Sequence, residues 1–182
     1  MNPIEETRHW LEAAVIGLNL CPFAKAVHGK GQIRWVLSEA CDAESLLADL
    51  VRELRFLADA DPDAVETTLL VHPDVLADFL DFNDFLDVAD AALVELGLDG
   101  TLQVASFHPQ YQFADSAPGD IGNHTNRSPH PTLHLLREAS IERALEAVPE
   151  AADIYERNIA TLQALGLDGW QRVMDGGAAP GK

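Results

Sequence analysis

Apolar and polar residues alternate along this chain with two different periods, and the changes of period mark its elements. Residues 5–18 place Trp10, Ala14, Ile16 and Leu18 on a mostly helical pattern. Ile33, Trp35 and Leu37 alternate with Arg34, Val36 and Ser38, as in a short strand. From Glu44 to Leu57, Leu46, Leu47, Leu50, Val51, Leu54 and Leu57 form one helical stripe. Thr67–Val71 is β-branched and apolar throughout, the mark of a buried strand, and it stops at His72-Pro73. Residues 75–96 repeat apolar side chains at 75, 79, 82, 86, 89, 93 and 96, which predicts a long amphipathic helix closed by Gly97. Thr101–Phe107 is a second buried strand, ending at His108-Pro109. A turn-rich stretch from Gln110 to His130 follows, broken by Pro118-Gly119 and Gly122-Asn123. Thr132–Arg137 reads as a fourth strand, and helices near 140–147 and 151–165 complete the pattern.

Strands that alternate with helices of this length imply parallel crossovers from the first strand to the third. The fourth strand returns over a loop of about twenty residues, long enough to suggest a functional role. The expected fold is a small α/β sandwich: one mixed, largely parallel four-stranded sheet, with enough helices to cover both faces. One domain over residues 1–175 and a disordered tail over 176–182, rich in glycine, complete the expectation.

Charge divides the 182-residue chain more sharply than the apolar pattern does. The net charge is −18, yet residues 42–99 hold sixteen acids against only Arg52 and Arg55. Residues 1–41 and 100–137 are each neutral, and Ala13–Ser38 contains three bases and no acid. The acids read as solvated helix faces, and Asp78, Asp81, Asp84, Asp87 and Asp90 recur every three residues in that manner. Such a balance argues against a nucleic-acid footprint or attachment to anionic lipid. An acidic N-terminus without a basic-then-apolar order, no membrane-length apolar run and two cysteines fit a cytoplasmic protein.

The neutral segments carry the candidate chemistry. In Asn19-Leu20-Cys21-Pro22-Phe23-Ala24-Lys25, proline at a first helical position would put Cys21 at the cap. Free N–H groups there, with Lys25 one turn on, would stabilise a thiolate. Cys21 is equally readable as a small buried hydrophobe between two helices. Cys41 lacks such a setting and reads as structural.

His72-Pro73 and His108-Pro109 both end apolar strands. On parallel strands the two imidazoles would share the carboxyl edge, where ligands bind in such sheets, about 5 Å apart on adjacent strands or about 10 Å across one. His72 reads as a strand cap; His108, followed by Tyr111 and Phe113, reads equally as a cap or a catalytic base. In the long loop, Gly122-Asn123-His124-Thr125-Asn126-Arg127-Ser128 could cradle a carboxylate or phosphate, or could satisfy its own backbone. Arg127 is the one base between Arg55 and Arg137. His130 and His134 have a zinc-like spacing, but an extended segment separates them by about 13 Å, and His108 with His124 is the metal pair left open.

Trp10 with Val15-Ile16-Gly17-Leu18-Asn19-Leu20-Cys21-Pro22-Phe23-Ala24-Lys25, Phe107-His108-Pro109, and Thr125-Asn126-Arg127-Ser128-Pro129-His130-Pro131 running on to Glu138 resemble one bacterial family of unknown function. The likeness covers nearly the whole chain. It implies no activity, but its Cys-Pro-Phe-Ala and Asn-Arg-Ser-Pro motifs fall on the two segments selected by chemistry.

The leading functional expectation is an enzyme acting on a small anionic metabolite. Cys21 would be the nucleophile or redox thiol, and His108 or His124 the general base. Lys25, Tyr111, Asn123, Asn126, Arg127 and Ser128 would hold the substrate. The competing expectation is a non-catalytic module that binds a small anion or a metal at the same loop. An interaction protein using the acidic helix is a third reading. In the first, Cys21, His108 and Arg127 would open on one concave surface at the carboxyl edge of the sheet, and replacing Arg127 would cost little stability.

Overall fold

All four strands and the helices between them form in the computed structural model, which describes residues 1–147 and 151–177. Helix α1 (Pro3–Trp10) continues into a π-helical turn over Leu11–Ile16, and α2 (Ala24–Gly29) follows. The chain then runs β1 (Ile33–Leu37), α3 (Ala43–Asp59), β2 (Thr67–Val71), α4 (Phe79–Glu95) and β3 (Leu102–Phe107). A 3-10 turn at Ile121–Asn126 precedes β4 (Thr132–Arg137), α5 (Glu138–Ala147) and α6 (Ala151–Met174), which is kinked at Gly166. The expected tail begins at Gly176, and its residues 178–182 lie outside the described residues.

The sheet is mixed, in the order β1-β2-β4-β3. It departs from the largely parallel pairing expected. β1 and β2 pair in parallel, whereas β4 is antiparallel to both of its neighbours. The crossovers do align β1, β2 and β3 in one direction. However, the last strand arrives over a loop rather than a helix, runs back, and takes the place between β2 and β3. One parallel pair is therefore left.

Alternation along the strands divides their side chains between two cores. On one face, Leu46, Leu50, Leu54 and Leu57 of α3 and Phe82, Phe85, Ala89 and Leu93 of α4 bury Leu70, Leu102, Leu133 and Leu135. On the other, Trp10, Leu11, Ala14, Val15 and Leu20 pack with Leu162 and Trp170 of α6, against Ile33, Trp35 and Phe107. Both faces are covered, as the helix count suggested. β2 is buried along its whole length, which accounts for its uninterrupted apolar sequence.

Two element boundaries carry consequences for function. The apolar repeat begins at Val75, but α4 starts only at Phe79, because Leu76 takes a left-handed conformation (φ 58°) and the Asp78 carboxylate caps the amides of Leu80 and Asp81. The acidic faces also have an exception in Glu53, 2% exposed on α3. Its carboxylate accepts from Arg34 Nε at 2.7 Å and from Arg52 Nε at 3.4 Å, while the Arg34 guanidinium lies 3.9 Å from the Phe56 ring centroid. Replacing Glu53 with Gln keeps the shape and removes the charge that both arginines share. We expect a loss of about 1–3 kcal/mol, read from urea unfolding midpoints, since a hydrogen bond to a charged group is worth about 1.5–3 kcal/mol.

Candidate functional site

The motif around Cys21 is shaped by the π-helical turn before it. A Cβ on Gly17 would run into the Ala13 carbonyl oxygen, so this turn accepts only glycine there. Asn19 then takes a left-handed conformation (φ 53°), tolerated best by asparagine among side-chain-bearing residues, and the Leu20 amide donates to the Val15 carbonyl. Asn158 of α6, buried and passed over in the sequence reading, donates from Nδ2 to the Leu20 carbonyl at 2.8 Å. Cys21, Pro22 and Phe23 consequently form a turn, and the cap of α2 is Phe23. Cys21 is not the helix cap expected from Pro22. It is half-buried against the second core, and Lys25 is exposed on a helix of six residues. The thiol at the start of a long helix is instead Cys41, exposed beside the α3 cap Asp42.

His72 and His108 do meet at the carboxyl edge, across the beginning of β4, and both rings lie against Phe82, with centroids 5.6 and 4.9 Å from it. Both His108 nitrogens are committed to the backbone, whereas His72 bonds it through Nδ1 alone and its buried Nε2 has no hydrogen-bond partner among the described residues. His108 Nε2 donates to the Leu76 carbonyl at 3.0 Å, and its Nδ1 accepts from the Gln110 amide at 3.0 Å. This holds the ring as one neutral tautomer and leaves no nitrogen for a general base or a metal. The same bond secures the left-handed Leu76 immediately before α4. His72 Nδ1 donates to the Val75 carbonyl at 3.1 Å. Burial, reinforced by His108, pushes His72 down to about 4, and burial also lowers His108.

The long loop is held by the side chains expected to hold a substrate. Asn123 is buried; its Oδ1 accepts from the Phe113 amide and the Ser116 hydroxyl, and its Nδ2 donates to the Ala117 carbonyl. Ser128 donates to the His130 carbonyl at 2.6 Å. Asn126 Nδ2 donates to the Ser106 carbonyl, and its own carbonyl accepts from the His108 amide. Tyr111 is raised above its ordinary value by burial, its hydroxyl lying against Ser106 and Asn126. His124 is lowered by burial and by Arg127, and its ring stands edge-on to Trp170 at 4.9 Å, on the face opposite His108. The open His108–His124 metal pair is therefore split across the sheet. Among the described residues no group of three His, Cys, Asp or Glu side chains could hold a metal.

Arg127 is the exception. Its Nε donates to the Tyr111 carbonyl at 3.0 Å and its Nη2 to the Pro118 carbonyl at 2.8 Å, so the loop fixes the guanidinium. It has no carboxylate partner within salt-bridge distance among the described residues. Arg127 lines a cleft of about 430 Å³ where the β3 carboxyl end meets the start of α4. Pro109, Pro118, Gln110 and Gln112 form its loop side, and Asp78, Phe79 and Leu80 its helix side. Of the three residues expected on one surface, only Arg127 reaches this cleft. The helix side was missed because Asp78 reads as one more solvated acid. Its suitability as a cap was the available signal.

Two measurements check these placements. Native protein treated with a maleimide should modify Cys41 first, and Cys41→Ser should leave one slowly reacting thiol; faster modification of Cys21 would contradict its packing. For the histidines, the fold stabilises the neutral rings, whereas the unfolded chain protonates near 6.5. Stability is thus full above pH ~6.5 and declines as the pH falls from there toward about 4. The urea midpoint should be lower at pH 4.5 than at pH 7. His72→Asn, which keeps a donor for Val75, should flatten that slope by roughly one proton.

No helix among the described residues is long and apolar enough to cross a membrane. No curated protein and no solved structure matches the chain. A family model described as a protein of unknown function (DUF1415) matches residues 2–172. That match spans the π-helical turn, both His-Pro strand ends, the loop that fixes Arg127 and most of α6, and so the chain belongs to this family.

Proposed function

We propose that this protein binds a small organic anion, a carboxylate or a phosphate, in the cleft beside Arg127. The observation that carries this reading is the guanidinium itself. It is half-buried, oriented by two backbone carbonyls and, among the described residues, without a carboxylate partner in a chain of charge −18. Burial disfavours its charge, so a negative group supplied by a ligand would relieve a cost already present. With Nε and Nη2 directed at carbonyls, Nη1 has no protein acceptor among the described residues and is left for the ligand. The volume suits a small metabolite, and proline, phenylalanine and leucine walls would take its apolar part.

Binding is favoured over the thiol-enzyme reading because, among the described residues, no cysteine, serine, threonine, histidine or lysine lines the cleft. Catalysis through Cys21 with His108 would need a thiol that lies against the other core and a base whose nitrogens are both bonded.

A thermal-shift screen of carboxylated and phosphorylated metabolites tests the proposal. At least one should raise the melting temperature of the wild type, and Arg127→Ala should weaken that ligand at least tenfold. This substitution should also cost about 1–2 kcal/mol, more than an exposed charge would, because two loop hydrogen bonds are lost. Arg127→Lys should recover part of the binding. A ligand whose affinity is indifferent to both substitutions would refute the site.

A further inference from the structure

The cleft is not uniformly positive, and that narrows the ligand. Asp78 lines it opposite the loop, and both capping bonds of its carboxylate go to Oδ1, leaving Oδ2 without a helix amide. Arg127 and Asp78 do not pair with each other within 4 Å, so two opposite charges face one space without neutralising one another. A plain anion drawn to Arg127 would enter a cleft of zero net charge in a strongly acidic molecule, and Asp78 would repel it. A ligand that also carries a cation turns this repulsion into a second attraction. Phe79 is half-buried with its ring 5.2 Å from that of Tyr111, and Leu80 is 70% exposed at the helix start, which gives the cleft an apolar side.

We infer that the ligand is dipolar, of the α-amino-acid kind: a carboxylate on Arg127, an ammonium on Asp78, and an apolar side chain against Phe79 and Leu80. This inference rests on the proposed anion site and adds the second charge to it. Two charged contacts in fixed relation also discriminate against molecules that carry only one of them.

The test is titration calorimetry of the full chain with L-phenylalanine, 3-phenylpropionate, phenethylamine and inorganic phosphate. Phenylalanine should bind at least tenfold more tightly than any of the other three. Asp78→Asn keeps a good helix cap and removes the charge. It should reduce phenylalanine to the affinity of 3-phenylpropionate while leaving the latter unchanged or slightly improved. A circular-dichroism melt of this variant should match the wild type, showing that α4 remains capped. If 3-phenylpropionate or phosphate binds as tightly as phenylalanine, or if Asp78→Asn leaves phenylalanine unaffected, the dipolar ligand is overturned and the anion site stands. If none of the four binds, the apolar amino-acid ligand is overturned, and the anion site is decided separately by the thermal-shift screen with Arg127→Ala.

Discussion

The insertion of β4 between β2 and β3 is the constraint on which most of this structure depends. A strand leaving the end of β3 must turn, cross the carboxyl edge of the sheet and re-enter beside its own predecessor. The intervening chain passes over the ends of β2 and β3, where backbone groups need partners away from any regular ladder. His108 supplies two of them, bonding Leu76 on one side and Gln110 on the other. Asn123, Ser116, Asn126 and Ser128 supply more within the connection itself. Residues that look like a catalytic assembly are consumed in returning the chain to the sheet.

What the connection leaves over is informative for the same reason. Arg127 donates twice to the loop and has no counter-ion among the described residues, while Asp78 uses one oxygen for the α4 cap. The two belong to different layers, one to the returning loop and one to the helix start that His108 stabilises through Leu76. The cleft between them is thus a product of the same crossing. Its walls are held by bonds made elsewhere, so the groups that face it are oriented rather than flexible.

The second face of the sheet shows a comparable division of roles. Trp10, the π-helical turn, Gly17 and Asn19 shape a bend that Asn158 fastens to α6, and Trp10 meets Phe107 edge-on at 5.0 Å. The segments that carry the family likeness therefore pack on one another. The Cys-Pro-Phe-Ala motif lies in this layer, and its conformation follows from the turn before it.

Much of the architecture was legible in the amino-acid sequence, because strand and helix periods are local properties. Thr67–Val71 and Thr132–Arg137 form strands over the residues their pattern marks, and the leucine stripe of α3 faces the core as its spacing requires. The direction of β1, β2 and β3 also followed, since helical crossovers constrain it. The chain determined as well which residues were chemically unusual, Arg127 among them. Only the tertiary structure decided what they do. Strand order depends on where a loop-connected strand finds two open edges, and no local period encodes that. A polar side chain serves its own backbone or a ligand according to which carbonyls and amides lie within about 3 Å. His108 and Asn123 found theirs in the fold; Arg127 found two carbonyls there as well, but reaches the rim of the cleft with Nη1 to spare.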